Sequence, residues 1–234
     1  MLREARTGKL APKDEMIVNV TASLFEENDR QAAKNRRAFQ EMGTVVLNLI
    51  SSPGSGKTSL LERTIARLKD QVGIGVIEGD PETARDAERI RRQGVPVIQL
   101  TTGGGCHLDA PMVDKGLQAL TRVAAGKKLD LLFIENVGNL VCPASFDLGE
   151  TKRVVLLSVP EGSDKPAKYP ATFRSADLVL ITKTDLVPYF DFKVEEAKEF
   201  VRILKPDMPV LSLAAEKDEG MDAWIAYLQA LLRN

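Results

Sequence analysis

Residues 45–61, VVLNLISSPGSGKTSLL, decide the fold of this chain. They begin with an apolar run at 45–50 that is rich in β-branched residues, which predicts a buried strand of a parallel sheet. A tight loop at 51–56 follows, and Lys57 and Thr58 then begin a helical pattern. A strand, a glycine-rich loop, a Lys-Thr pair and a helix in this order predict a phosphate-binding P-loop.

The residue types in this loop suit a bound nucleotide. Gly54 and Gly56 let backbone N–H groups point into a concavity that fits an anionic phosphate, and the helix start adds the positive end of its dipole. We expect Lys57 to neutralise the β- and γ-phosphates and the Thr58 hydroxyl to ligate Mg²⁺. Ser51 stands where the general motif has its first glycine, so the alternative is a Gly/Ser loop between an unrelated strand and helix.

Composition limits the classes of protein to be considered. The 234 residues are 44% apolar and carry a net charge of -1, which suits a globular protein without bulk attraction to nucleic acid or anionic membranes. No run approaches the ~18 apolar residues of a membrane span, and the N-terminal residues lack the apolar core of a secretory signal. Two cysteines, Cys106 and Cys142, are too few for a disulfide framework, so we expect a reduced, cytoplasmic protein.

Strands alternate with helices along most of the chain. Strands are predicted at 45–50, 74–77, 95–100, 129–134, 154–159, 178–181 and 210–213. Helices are predicted at 59–70, 81–93, 194–204 and 221–232, and a further helix follows residue 107 and ends near residue 125. This order predicts a doubly wound, mostly parallel α/β sheet of P-loop NTPase type with right-handed crossovers. A helix at 23–42, with Ser23 and Glu26 as a capping box, precedes it and ends at Gly43. We therefore divide the chain into an N-terminal arm and helix, 1–43, and a P-loop domain, 44–234.

Acidic residues follow two of these strands. Ligands of such sheets gather beyond the carboxyl ends of the strands, where Asp80 and Glu135 lie. Mg²⁺ needs few protein oxygens, so Thr58 with one direct or water-mediated carboxylate would suffice. The alternatives are that Asp80 caps a helix starting at Pro81 and that Glu135 is an ordinary strand-end carboxylate.

Residues 182–185, Thr-Lys-Thr-Asp, resemble the guanine-specificity motif Asn-Lys-x-Asp of GTPases. Asp185 would accept hydrogen bonds from the N1–H and 2-amino groups of guanine, whereas adenine would leave this carboxylate unpaired. The stem of Lys183 would lie along the base, and Ala215 lies where GTPases offer a backbone N–H to the guanine oxygen. Thr182 replaces the usual Asn, so the contacts that the Asn side chain makes in GTPases are not predicted for this chain.

A third group of residues combines thiols with imidazole. His107, the one histidine of the chain, directly follows Cys106 after three glycines, and Cys142 lies just beyond the strand that ends near Glu135. Thiolate and imidazole suit Ni²⁺ or Zn²⁺. Three ligands do not close a tetrahedral site, so either solvent or a second subunit would complete it; the alternative is that the cysteines are inert packing residues.

From 46 to 228 the chain resembles the hydrogenase nickel-incorporation GTPases (HypB). The segments that carry the resemblance are SSPGSGKTSLLE, VIEGD, DAERI, GGGCHLDA, LFIENVGNLVCPASFDLGE, EGSDKPAKYP and EGMDAW. The resemblance implies a GTPase that delivers nickel during maturation of [NiFe] hydrogenase and works with other maturation factors and the hydrogenase large subunit. In this family serine is the usual residue at the position of Ser51.

The resemblance also implies roles for individual residues. The phosphates would be held by residues 54–59, including Ser55 and Ser59. Cys106, His107 and Cys142 would form a nickel or zinc site shared across a GTP-dependent dimer, in which Lys165 or Lys168 could reach the phosphates of the partner. The implied catalytic set is Lys57, Asp80, Glu135 and Lys168, with Asp80 and Glu135 serving magnesium and the attacking water.

This chain departs from some relatives and has rivals. It has no cysteine before Cys106 and no second histidine, so we do not expect an N-terminal nickel motif or nickel store. A urease-type nickel GTPase would place Cys-Pro-His together, and a GTPase that protects a cobalamin-dependent mutase would not need Cys106, His107 and Cys142. A metal carrier that hydrolyses GTP poorly is a rival of another kind. For the nickel GTPase we expect the loop 103–105 to let Cys106 and His107 reposition with the nucleotide state.

Overall fold

A computed structural model describes the backbone of residues 12–80 and 85–233, and the side chains from residue 24 onward within those ranges. The strands are β1 Val45–Ser51, β2 Ile74–Asp80, β3 Val97–Thr101, β4 Leu131–Glu135, β5 Lys152–Ser158, β6 Leu178–Thr182 and β7 Val210–Ser212. The α-helices are α1 Pro12–Glu41, α2 Lys57–Leu68, α3 Arg85–Arg91, α4 Ala110–Ala124, α5 Lys165–Lys168, α6 Pro170–Ser175, α7 Val194–Leu204 and α8 Met221–Leu232.

The strands form one seven-stranded sheet in the order β3-β2-β4-β1-β5-β6-β7. Neighbouring strands pair in parallel, which confirms the predicted sheet. β1 lies in the middle, between β4 and β5, so the loop that follows it opens at the switch point of the strand order. Ligands of doubly wound sheets bind at such a point, because the neighbouring connections leave in opposite directions.

Alternate residues of the strands feed two cores on opposite faces of the sheet. Leu47 and Leu49 point to the face covered by α2, α3 and α8, where the indole of Trp224 is fully buried. Val46 packs against α1 and α4 on the other face, and Ile50 packs there against the cluster of α6 and α7. The continuous apolar runs of the strands therefore have helices on both faces, as the sequence predicts.

Several predicted boundaries are wrong. α1 begins at Pro12, so Ser23 lies inside the helix and the predicted capping box does not start it. β2 continues to Asp80, which places both of its last acidic residues on the strand, and β3 begins at Val97 instead of residue 95. Residues 81–84 lie outside the described residues, so the predicted helix 81–93 can be compared only with α3, Arg85–Arg91. The suggested helix cap, in which Asp80 precedes Pro81, falls in the same undescribed stretch.

Polar contacts fix α1 to the domain. Asn28 and Asn35 are buried, and their side chains bond backbone groups of Ala110 at the start of α4. Arg36 donates to both carboxylate oxygens of Asp147, at 2.8 and 2.7 Å. α1 thus packs against the segment before β5 as well as against α4. Among the described residues, no helix combines the length and the apolar character needed to span a membrane.

Candidate nucleotide and metal site

The P-loop has the predicted strand-loop-helix geometry. Gly56 precedes α2 with φ +92°, a left-handed conformation that favours glycine. Lys57 is buried at the first position of α2, and its Nζ donates a 3.0 Å hydrogen bond to Oγ of Ser51. Ser51, which replaces the first glycine of the general motif, is therefore a hydrogen-bond acceptor for the P-loop lysine.

Thr58 and Glu135 lie together, as a magnesium site would require. The Thr58 hydroxyl donates a 2.9 Å hydrogen bond to Oε1 of Glu135, and both residues are buried. Oε2 of Glu135 is buried without a hydrogen-bond partner. Burial raises the pKa of Glu135 to about 7, against the opposing effects of the nearby Lys57 and of the Thr58 hydrogen bond. A buried carboxylate with an unused oxygen suits a cation that brings positive charge.

Glu78 completes this acidic group, and the sequence analysis missed it. It lies opposite Glu135 in the pairing of β2 with β4, and only 2% of it is exposed. Burial, followed by repulsion from Glu135 and Asp80, raises its pKa to about 8, and its Oε2 is buried without a partner. Carboxylate oxygens of Glu78, Asp80 and Asp86 lie within 4.8 Å of one another. This oxygen set fits Mg²⁺.

The local sequence offered a signal for one of these two additional acids. Glu78 precedes Asp80 by two residues, so both side chains share one face if the strand continues through them. The predicted strand ended one residue before Glu78, which hid that relationship. Asp86 follows the undescribed residues 81–84, and nothing in the sequence pattern places it beside the strand end.

A cavity of 160 Å³ lies where the guanine base is expected. Its lining includes Thr182, Lys183, Asp185 and Ala215 of the predicted base site, together with Ser55 and Ser59 of the P-loop region. Thr182 donates from its hydroxyl to the carbonyl oxygen of Ser55 at 2.7 Å. The threonine that replaces the usual Asn therefore contacts the P-loop directly and anchors the end of β6 to it.

The base cavity continues into the phosphate and acidic regions. A neighbouring cavity is lined by residues 54–59 together with Asp86, Arg89, Glu135, Lys183 and Glu216, and a third by Lys57, Glu78, Asp80, Glu135 and others. Shared lining residues join the three into one cleft along the carboxyl ends of the strands. Arg89, which the sequence pattern did not indicate, lines the phosphate region. It donates to Glu62 and, at 3.4 Å, to Oγ of Ser59, which places a positive charge at the rim of that region.

Cys106, His107 and Cys142 come together as predicted. Their possible ligand atoms lie within 4.8 Å of one another, and Sγ of Cys106 is 3.6 Å from Nδ1 of His107. Asn139 ties the two segments together, since it donates to the carbonyl oxygen of Cys106 and accepts from the N–H of Val141. Cys106 is exposed, so a further ligand can reach the group from outside.

The surroundings of these ligands affect their protonation. The imidazole of His107 stacks on the ring of Phe146, with ring centroids 3.9 Å apart, and burial lowers the pKa of His107. A neutral imidazole is the form that binds a metal. The hydrogen bond between the thiols of Cys142 and Cys106 raises the pKa of Cys106, so a metal must displace protons when it binds here.

The lysines expected to act in trans lie outside the cleft of their own chain. Nζ of Lys168 pairs with Asp164 at 2.6 Å, and Nζ of Lys165 lies 5.2 Å from the ring centroid of Tyr169. Neither lysine is among the described residues that line the three cavities. The structure therefore gives them no catalytic contact within one chain, and their role remains a prediction.

Comparisons with known proteins agree with these observations. The family model of the CobW/HypB/UreG nucleotide-binding domain matches residues 45–212. A hydrogenase maturation factor HypB from Azotobacter vinelandii is 52% identical over 213 residues, covering 91% of this chain and 69% of the relative. HypB from Escherichia coli K12 is 48% identical over 226 residues, covering 97% of this chain and 77% of the relative.

Structural similarity supports the same assignment. The crystal structure of HypB from Helicobacter pylori in complex with nickel has a TM-score of 0.84 and 44% identity, covering 88% of this chain and 95% of that one. A signal recognition particle protein from Aeropyrum pernix, at 12% identity and TM-score 0.52, shares the fold alone. With its P-loop, its guanine-type cavity and its Cys/His group, the chain belongs to the HypB family of hydrogenase maturation factors, within the CobW/HypB/UreG group of P-loop GTPases.

Proposed function

We propose that this protein is a GTP-hydrolysing nickel metallochaperone that acts in the maturation of [NiFe] hydrogenase. One observation carries the proposal: the ligand atoms of Cys106, His107 and Cys142 converge within 4.8 Å, in segments that follow strands of the nucleotide cleft. The solved relative from Helicobacter pylori, which is 44% identical, is a complex with nickel. Thiolate and imidazole together favour Ni²⁺ or Zn²⁺ over Mg²⁺, so the two metals can bind at separate sites of one chain.

The nucleotide cleft supplies the groups needed to hydrolyse GTP. Lys57 exchanges its contact with Ser51 for the β- and γ-phosphates, and Asp185 accepts hydrogen bonds from guanine. The residues that would hold Mg²⁺ are Thr58, Asp80 and Glu135, with Glu78 adjacent. An ion held there would neutralise charge on the phosphate oxygens. Glu135 can accept a hydrogen bond from the attacking water.

We further propose that nickel binding depends on the nucleotide state. Three protein ligands leave a coordination position open, which either solvent or a second copy of the chain can fill. A GTP-dependent dimer would bring two such groups together and, with them, Lys165 and Lys168 of the segment that carries α5. Hydrolysis would then change both the dimer and the affinity for the metal, which is a coupling between two sites.

The experiment that tests this function measures Ni²⁺ dissociation constants with GDP and with a non-hydrolysable GTP analogue plus Mg²⁺. We expect different constants in the two states for the wild type, loss of GTP turnover in Lys57→Ala, and loss of tight nickel binding in Cys106→Ser. Lys57→Ala should still bind nickel without nucleotide, and Cys106→Ser should still bind GDP. Wild-type turnover in Lys57→Ala together with wild-type nickel affinity in Cys106→Ser would refute the proposal.

Single-turnover hydrolysis with and without Ni²⁺ separates this enzyme from a metal carrier that hydrolyses GTP poorly. The same samples, repeated with Zn²⁺, show which ion the nucleotide state controls. Analytical ultracentrifugation of Lys165→Ala and Lys168→Ala then tests the role of these lysines in trans. If each variant hydrolyses GTP and dimerises with the GTP analogue as the wild type does, neither lysine acts across the dimer. Lys205→Ala, in a lysine that bonds the carbonyl of Ala176 and lines none of the three cavities, is the control.

A further inference from the structure

Asn136 lies between the nucleotide cleft and the metal-binding segment. It directly follows Glu135 at the end of β4, and only 1% of it is exposed. Its Oδ1 accepts hydrogen bonds from the backbone N–H groups of Leu108, at 3.1 Å, and Val137, at 3.0 Å. Its Nδ2 donates to Oδ1 of Asn48 at 3.3 Å. A buried amide with these contacts has a single orientation, since a flipped amide would lose them.

The position of Asn136 in the sheet explains why it can contact the metal-binding segment. Successive residues of an extended strand point to opposite faces. Glu135 points toward α2, where it accepts the hydrogen bond of Thr58, and Asn136 points toward the start of α4. There it binds the N–H of Leu108, the residue that directly follows His107. Two adjacent residues thus contact the nucleotide cleft and the metal-binding segment.

A second set of hydrogen bonds reaches the segment that carries Cys142. Nδ2 of Asn48, in β1, donates to Oε1 of Glu150 at 3.2 Å, and Glu150 pairs with Arg153 at 2.8 Å. The guanidinium of Arg153 also donates to the carbonyl oxygens of Ala144 and Phe146, each at 2.9 Å. The side chains of Glu150 and Arg153 are 6% and 12% exposed, so this ion pair is shielded from solvent.

We propose that Asn136 is a positioning residue that links the nucleotide state of the cleft to the affinity of the Cys106–His107–Cys142 group for nickel. This inference rests on the proposed function. When the Thr58 hydroxyl turns toward Mg²⁺ and the phosphates, Glu135 loses its present partner and the end of β4 adjusts. Asn136 moves with it, and its buried bond carries the N–H of Leu108 along, because breaking that bond would leave the buried N–H of Leu108 without its partner.

The test compares two buried asparagines, one at the end of β4 and one on α1. Asn136→Ala removes the contact between the end of β4 and Leu108. Asn35→Ala is the matched control, because Asn35 is also 1% exposed and also bonds segments beside the metal ligands, the carbonyls of Ala110 and Leu148, at 2.9 and 3.1 Å. Asn35 belongs to α1, however, and has no described contact with the end of β4. Both variants lose buried amide hydrogen bonds, so a general loss of stability affects both.

The measured quantity is the ratio of Ni²⁺ dissociation constants with GDP and with the GTP analogue plus Mg²⁺. Coupling between sites in proteins is typically about 5- to 150-fold, and we expect a wild-type ratio in that range. In Asn136→Ala we expect the ratio to fall to within about 2-fold of unity, whereas Asn35→Ala should keep the wild-type ratio. A wild-type ratio in Asn136→Ala, or an equal loss in both variants, would overturn the inference.

A second measurement, on the wild type, keeps the inference testable if Asn136→Ala does not fold. Amide hydrogen exchange at Leu108 should differ between the GDP and GTP-analogue states, while exchange at Ala110 should change less. Equal protection of Leu108 in both states would overturn the inference. A wild-type nickel ratio of unity would instead refute the proposed function, so the two failures can be told apart.

Discussion

The hydroxyl of Thr182 donates a 2.7 Å hydrogen bond to the carbonyl oxygen of Ser55, and Thr182 is 3% exposed. The bond joins the end of β6, which begins the base site, to the middle of the P-loop, which begins the phosphate site. The distance between these two parts of the cleft is therefore fixed before a nucleotide binds. Such preorganisation increases affinity, because less ordering is needed when the ligand arrives.

Thr182→Val should weaken nucleotide binding, since valine has a similar shape but cannot donate this bond. The P-loop would no longer be held to the end of β6, so more ordering would occur on binding, and we expect the dissociation constant for GDP to rise by roughly 5- to 30-fold. Isothermal titration calorimetry measures this change. Thr182→Ser keeps the hydroxyl and should bind GDP within about 3-fold of the wild type. Equal affinities for valine and serine variants would show that the bond contributes nothing to binding.

Asp185→Ala should remove the preference for guanine nucleotides. The carboxylate lines the base cavity and would pair with the two donors of guanine, so its loss should weaken GTP binding by about 100-fold or more while changing ATP binding little. Competition titration with labelled GDP measures both affinities. Asp191→Ala, in an exposed aspartate of the same connection, is the control and should keep wild-type selectivity. Retained guanine selectivity in Asp185→Ala would mean that another group reads the base.

The predicted site residues that lie together in the structure are close neighbours in the chain or follow the ends of predicted strands. The P-loop needs a strand, a loop and a helix in succession, and residues 182–185 need only the end of one strand. Cys106 and His107 are adjacent, and the strand order brings the segment of Cys142 beside them. Each prediction required only the approximate position of a strand, which apolar runs indicate.

The features that the sequence pattern did not indicate depend on contacts between residues that are distant in the chain. Glu78 lies opposite Glu135 in the pairing of β2 with β4, and the predicted strand, which ended at residue 77 instead of at Asp80, did not include it. The hydrogen bond from Leu108 to Asn136 depends on the side chain of one connection reaching the backbone of another. The start of α1 was misplaced because Ser23 and Glu26 form a capping pattern that also occurs inside helices. Local signals cannot distinguish these cases.

Phe146→Leu should alter the metal site without removing a ligand. The ring of Phe146 stacks on His107 and also lies 5.3 Å from the ring of Phe25 on α1, measured between centroids. Leucine would keep an apolar contact but not the flat surface that orients the imidazole, and we expect nickel affinity to fall by about 3- to 10-fold.

X-ray absorption of the nickel-loaded variant should show fewer nitrogen neighbours and unchanged sulfur neighbours. Phe190→Leu, in an exposed phenylalanine beyond β6, serves as the control and should leave affinity and spectrum as in the wild type. An unaltered spectrum in Phe146→Leu would show that the stacking does not orient His107.

The free energy of unfolding of the nucleotide-free protein should fall as pH rises from about 5 to about 8. The pKa of Glu78 is raised to about 8 in the folded chain, whereas an unfolded glutamate titrates near its ordinary value of 4.5. The folded state therefore binds more protons than the unfolded state in this window. Its extra stability is fully present below the unfolded pKa and is lost as pH rises through the folded one. Glu135, with its pKa at about 7, acts in the same direction.

Glu78→Gln isolates this effect, because glutamine keeps the shape of the neutral side chain and cannot ionise. In buffer without Mg²⁺ and nucleotide, we expect the variant to be more stable than the wild type by about 1–4 kcal/mol at pH 8 and nearly equal to it at pH 5. Guanidinium unfolding at a series of pH values measures the difference. Glu199→Gln, in a glutamate whose side chain is 62% exposed, should follow the wild-type curve. If Glu78→Gln followed it too, the buried carboxyl of Glu78 would not be held in its protonated form, and the acidic group would need another source of positive charge in the nucleotide-free state.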